Sequence, residues 1–267
     1  MSLFVTSNNS VYVSNQRTGQ IHIWQDGSST SPSKTIPGRI FNPYSIFVTT
    51  NGDIYVYNDK NAHVDKWIAQ NETWISVMSV ESTCFGLFID IFDNLYCSIR
   101  DKHRVDKKWS NGTITIVAGV DVQRPSLDIL NRPQGIFVDI NLDLYVADSE
   151  NDRIQLFRLN QRNGITVAGK KSSNITIELN YPTGIVLDGD RYLFIVDQYN
   201  NRLIASNENG FRCIFGCSGQ NFKFSKLQKP WAMSFDSYGN IYVTNRNNHR
   251  VEKIIKSNIC SKFVSSL

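Results

Sequence analysis

The stretch that decides the fold is Pro133–Phe157, PQGIFVDINLDLYVADSENDRIQLF. It holds three short apolar segments separated by turns. Gly135–Val138 is apolar and rich in β-branched side chains, and Asp139–Asp143 reads as a turn. Leu144–Ala147 is a second strand, Asp148–Asp152 a polar turn, and Arg153–Phe157 an alternating third strand. Parallel neighbours would need long crossovers, so connections this short predict an antiparallel meander.

The same pattern recurs along the chain. An aromatic marks each second strand at Tyr12, Tyr55, Tyr96, Tyr145, Phe194 and Tyr242. A first-strand apolar residue precedes each at a fixed offset: Val5, Val48, Ile89, Val138, Leu187 and Phe235. The third strands close on Trp24, Trp67, Trp109, Phe157, Ser206 and Ile254. The unit repeats roughly every 40 to 50 residues, the range of propeller blades. Segments such as Thr113–Gly119 and Ile165–Gly169 supply a fourth strand. A lone small sheet has two unsatisfied apolar faces, whereas sheets arranged radially cover one another. The expected fold is all-β: one six-bladed β-propeller of four-stranded antiparallel blades over 3–37, 43–78, 84–119, 133–169, 182–217 and 230–264. The last fourth strand is expected near Ile259–Val264, and Pro125–Leu130 as one helical turn. The seam between blades six and one is the expected weak point.

The pattern P-x-G-I-x-V-D…L-Y-V-A-D-x-x-N-x-R-I resembles the NHL repeat. The fourth copy matches best. PTGIVLD…LFIVDQYNNRL and PWAMSFDSYGNIYVTNRNNHRV follow closely, and the first and third copies are degenerate. The resemblance is specific for the fold and not for function, because such propellers serve enzymes and binding scaffolds alike.

With 267 residues, a net charge of +4 and a pI near 8.7, the chain is mildly basic, which permits an anionic partner. No apolar run approaches a membrane span. Met1-Ser2-Leu3 leads straight into the first strand, which predicts no signal peptide. The compartment stays open: cytoplasmic if that start is native, extracellular if the chain is a fragment of a longer secreted protein. The 5 cysteines form no zinc pattern. Cys213 and Cys217 are a candidate local disulfide. Cys97 is expected as a buried apolar residue, and Cys84 stands where other copies have proline. Sequons occur at Asn8, Asn71, Asn111 and Asn174, about as many as chance gives in an Asn-rich chain.

A meander puts the second-to-third turns and the fourth-to-first links on one rim, the expected functional face. There Tyr44, Phe85, Gln134, Thr183 and Trp231 ring the channel mouth, with Arg132 and Lys229 just before two of them. This is a mouth of aromatics and two cations without a carboxylate. It suits stacking and anion contact with a peptide or a single-stranded nucleic acid; the bland alternative is packing between blades. The pairs Asp148…Arg153 and Asp197…Arg202, with Asn245…Arg250, repeat at one offset and read as structural. His22, His63, His103 and His249 fall on separated blades, so no metal site is expected.

The resemblance extends to tripartite-motif NHL proteins, whose propellers recognise RNA or protein, often beside a ubiquitin-ligase module. No RING or B-box pattern occurs here. The expectation is therefore a non-enzymatic scaffold without cofactor, binding a protein or single-stranded RNA, as the substrate-recognition part of a ubiquitin-ligase system in one version. The alternative is a metal-dependent enzyme resembling the six-bladed amidating lyases or sugar lactonases. Their histidine or acidic metal ligands are not visible at the heads of the inner strands.

Overall fold

The structure is a computed structural model and describes residues 1–25, 31–38, 40–120, 129–172, 176–217 and 227–258. Strands run blade by blade. Blade one holds β1 (Ser2–Val5), β2 (Val11–Asn15), β3 (Gln20–Trp24) and β4 (Lys34–Ile36). Blade two holds β5 (Ile46–Val48), β6 (Ile54–Asn58), β7 (His63–Ile68) and β8 (Thr73–Ser79). Blade three holds β9 (Cys84–Ile89), β10 (Leu95–Ile99), β11 (Arg104–Lys108) and β12 (Ile114–Gly119). Blade four, the deciding stretch, holds β13 (Pro133–Val138), β14 (Leu144–Asp148), β15 (Arg153–Phe157) and β16 (Ile165–Gly169). Blade five holds β17 (Pro182–Leu187), β18 (Leu193–Asp197), β19 (Arg202–Asn207) and β20 (Gly210–Phe215). Blade six shows β21 (Pro230–Phe235), β22 (Ile241–Asn245) and β23 (Arg250–Ile254).

Every sheet is an antiparallel meander in sequence order, so the chain is a six-bladed propeller. The strand expected at Ile259–Val264 lies outside the described residues, as does most of the helical turn expected at Pro125–Leu130. The first strand of each blade is innermost and touches its counterparts in the two neighbouring blades.

The core is six separate apolar clusters, one in each gap between blades. Between blades five and six, Val196, Leu203, Ile214 and Leu227 pack on Ile241 and Val243. Burying aliphatic surface at about 25 cal/mol per Å² is what holds such sheets face to face. Among the described residues the gap between blades six and one has the smallest cluster: Leu3, Val5, Val11, Val13 and Tyr242.

The glycine of the P-x-G signature has a steric cause. A Cβ on Gly135 would lie 2.2 Å from the Thr183 carbonyl oxygen, and one on Gly86 2.4 Å from that of Gln134. The inner strands approach each other too closely there for a side chain.

Side-chain hydroxyls fasten one blade to the next. Ser14 donates to the Pro43 carbonyl, Ser45 to Cys84, Ser98 to Gln134, Ser149 to Pro182 and Thr183 to Trp231. At the seam the Val5 N–H donates to Ser234 Oγ (3.1 Å), and the Ser237 N–H to Asn9 Oδ1 (2.8 Å).

Two cysteine pairs form disulfides. Cys213–Cys217 joins the expected partners. Cys84–Cys97 corrects the reading of Cys97 as a solitary apolar residue: β9 and β10 are neighbours, so both cysteines sit buried in one hairpin.

Candidate functional site at the channel mouth

The upper rim carries the second-to-third turns and the links that enter each inner strand. A repeated clamp fixes those links. The side-chain oxygens of Asn58, Asp148, Asp197 and Asn245 accept the N–H of Phe41, Asn131, Asn180 and Gln228, respectively. Asp148 also accepts from Arg153 Nε at 2.7 Å and from Asn151, and Asp197 from Arg202 Nε at 2.8 Å. These pairs hold the blade together, as their repetition suggested. In the sixth blade Glu252 accepts from the side chains of both Asn245 and Arg250.

The residue before each inner-strand proline is bent into the left-handed region: Asn42 (φ 45°), Arg132 (φ 50°), Tyr181 (φ 56°) and Lys229 (φ 47°). Such backbone costs energy and persists where its surroundings impose it. Here the preceding blade imposes it. The N–H groups of Arg132, Tyr181 and Lys229 donate to His103 Nδ1, Asp152 Oδ1 and Asn201 Oδ1. The repeat-position histidine His103 is thus a backbone acceptor.

The structure brings together three of the expected mouth residues. Phe85 and Trp231 come from blades three and six, on opposite sides of the ring, and their rings meet with centroids 5.9 Å apart. Tyr44 packs on Phe85 at 4.5 Å. Arg100 lies over Phe85 (5.2 Å) and Arg246 over Trp231 (4.9 Å). Both arginines begin equivalent three-residue 3-10 turns, Arg100–Lys102 and Arg246–Asn248. Beneath this aromatic layer the channel holds a cavity of about 130 Å³ lined by inner-strand residues. Further along the strands Phe4, Phe47, Phe88 and Phe137 form a chain of tilted ring contacts with centroids 4.9 to 5.1 Å apart.

The other expected residues occupy different surroundings. Thr183 is buried and bonded to the Trp231 carbonyl. Gln134 is buried and donates through Nε2 to the Tyr181 hydroxyl, while its Oε1 has no hydrogen-bond partner. Arg132 pairs with Glu150 at 2.8 Å, which brings a carboxylate to a rim expected to have none. Lys229 stands 5.6 Å above Tyr199, and Tyr199 stacks on Tyr181 at 4.7 Å. Among the described residues neither Lys229 nor Arg246 has a carboxylate within ion-pair distance. Sequence reasoning did not place Arg100, Arg246 or Tyr199 at the mouth. They lie in the second-to-third turns.

A six-bladed propeller with a cationic, aromatic upper mouth defines the class of protein. Residues 227–254, in the sixth blade, match the model of the NHL repeat. No protein of curated function matches the chain significantly. Among solved structures it is similar to virginiamycin B lyase from Staphylococcus aureus, at 12% identity and TM-score 0.61, covering 95% of this chain and 83% of that one. It is similar to an auxiliary nutrient binding protein from Bacteroides thetaiotaomicron, at 12% identity and TM-score 0.73, covering 94% and 68%. It is also similar to a chain of a nidogen/laminin complex, at 16% identity and TM-score 0.72, covering 93% and 89%. At such identities the likeness is one of fold, shared by an enzyme and by binding proteins.

Proposed function

We propose that this chain is a non-enzymatic binding scaffold that holds a carboxylate-bearing protein segment across its upper mouth. The observation that carries this reading is Arg246, exposed and stacked on Trp231 without a carboxylate of its own among the described residues. A guanidinium held over an aromatic face keeps its donors free for a carboxylate fork. Lys229 over Tyr199 adds a second uncompensated cation on the same rim. Specific recognition needs no chemistry from the chain.

The experiment is selection of a random peptide library on the intact chain. Peptides enriched in Asp and Glu, bound in a salt-sensitive way and weakened at least about tenfold by Arg246→Ala or Trp231→Ala, support the reading. Binding indifferent to both variants rejects the mouth.

A second reading has its own support. The Tyr181–Tyr199 stack, with its rings 12° from parallel and Lys229 above, is a platform on which a base and its phosphate fit. Salt-dependent anisotropy of a random single-stranded RNA pool, lost in Lys229→Ala and Trp231→Ala, would favour it. Either partner is compatible with a recognition part of a ubiquitin-ligase system whose catalytic module is a separate chain.

A further inference from the structure

The face opposite the mouth carries a second signal. In a meander the first-to-second and third-to-fourth turns share the lower rim. Three of the sequons fall on such turns. Asn8 lies between β1 and β2, Asn71 between β7 and β8, and Asn111 between β11 and β12. They sit on the three consecutive blades one, two and three, and all three asparagines are exposed. Asn174 lies outside the described residues.

Their geometry is alike. Each carboxamide oxygen is engaged by the hydroxy residue of its own sequon. Asn8 Oδ1 accepts the Ser10 N–H at 3.2 Å, Asn71 Oδ1 the Thr73 hydroxyl at 2.6 Å, and Asn111 Oδ1 the Thr113 N–H at 3.0 Å. Each Nδ2 is left with no hydrogen-bond partner among the described residues. A side chain whose oxygen is tied inward presents its nitrogen to solvent. The two disulfides, Cys84–Cys97 and Cys213–Cys217, are an independent observation that points to an oxidising compartment, where sequons are used.

We infer that Asn8, Asn71 and Asn111 are N-glycosylation sites, and that the chain passes through an oxidising secretory compartment. The co-reactant is an oligosaccharide linked to a lipid diphosphate, presented by a transferase. The Asn Nδ2 forms a bond to the anomeric carbon, the bond from that carbon to the diphosphate oxygen breaks, and the lipid diphosphate leaves as an anion. One amide proton passes to a base of the transferase. Sugars at these three positions stand on the lower rim of blades one to three, on the face away from the upper mouth. The inference is compatible with the peptide reading of the mouth, and a chain sorted into that compartment is out of reach of a ubiquitin-ligase system.

The test uses the native protein purified from its own source and treated with peptide N-glycosidase, which converts a glycosylated Asn to Asp. Peptide mapping is expected to read Asp at positions 71 and 111, with position 8 following. Asparagine unchanged at both 71 and 111 overturns the inference. A paired control in the same cells separates glycan loss from misfolding. Thr73→Ser keeps the sequon and is expected to keep the mobility shift, whereas Thr73→Val is expected to lose one glycan's worth. Equal migration of the two variants also overturns the site at Asn71.

Discussion

Asp148 has a fully buried side chain, and Arg153 beside it is 4% exposed. Burial pushes the Asp148 carboxyl upward, against the bonds from Asn131, Asn151 and Arg153 that favour its charge. A buried carboxylate stripped of its guanidinium has no cheap state. Arg153→Met is therefore expected to lower stability by about 3–5 kcal/mol in urea unfolding. A loss under about 1 kcal/mol would mean that the backbone and Asn151 bonds alone satisfy the carboxylate. This pair was legible in the sequence because a fixed offset recurred, and recurrence marks structure. The Cys84–Cys97 bond was not. Cys84 stands in the proline column and Cys97 in an apolar one, so each had a sufficient local explanation, and only strand pairing makes them partners.

At the level of the hairpin, the lower rim repeats a contact that sequence reading passed over. The second-strand tyrosines face lysines of the third strand: Tyr55 opposite Lys66, Tyr96 opposite Lys107, Tyr242 opposite Lys253. Each ammonium lies within 5.2 Å of its ring centroid, and each meets a turn carboxylate: Asp53 at 2.8 Å, Asp90 at 3.3 Å, Asp236 at 3.3 Å. The tyrosines were read as aromatic markers of the second strand, which hid the lysines at constant spacing. Burial would raise all three carboxyls. Hydrogen bonds (from Lys66 and Ala69 to Asp53, and from Asn94 and Asn240 to Asp90 and Asp236), together with the lysine charges, outweigh it and hold them below the ordinary range. Depressed carboxyls stabilise the fold above the unfolded value, near 3.9, and that contribution is lost as pH falls through the lower folded values. The melting temperature is expected to drop steeply below about pH 4. Lys66→Met with Lys253→Met should flatten that limb, and an unchanged slope would remove these pairs from the account.

For the molecule as a whole, the ring itself was readable because a constant internal offset with a drifting period leaves one architecture. The meeting of Phe85 and Trp231 was not, since they belong to opposite blades and nothing local couples them. What sets the diameter of the ring is the approach of the inner strands at their glycines. Gly135→Ala places a Cβ 2.2 Å from the Thr183 carbonyl and is expected to cost about 1–3 kcal/mol by overpacking. Gly189→Ala, at a turn with no atom within 4 Å of the new Cβ, should change stability by less than about 0.5 kcal/mol in the same thermal melts. Equal effects at the two positions would mean that the ring can widen without penalty.

The fastenings between blades have a sense of rotation. In the five joints from blade one to blade six, a side-chain hydroxyl reaches forward to a carbonyl of the following blade. At the sixth the donors are backbone N–H groups and the bonds run both ways, from Val5 of blade one to Ser234 and from Ser237 of blade six to Asn9. The molecule is in effect a belt of five hydroxyl links of one direction closed by a buckle of a different make. Among the described residues the apolar cluster is also smallest at the buckle, and force that opens the ring is expected to gather there. Ser234 and Asn9 are thus a tuning screw for mechanical tightness, adjustable without altering any fastening within the belt.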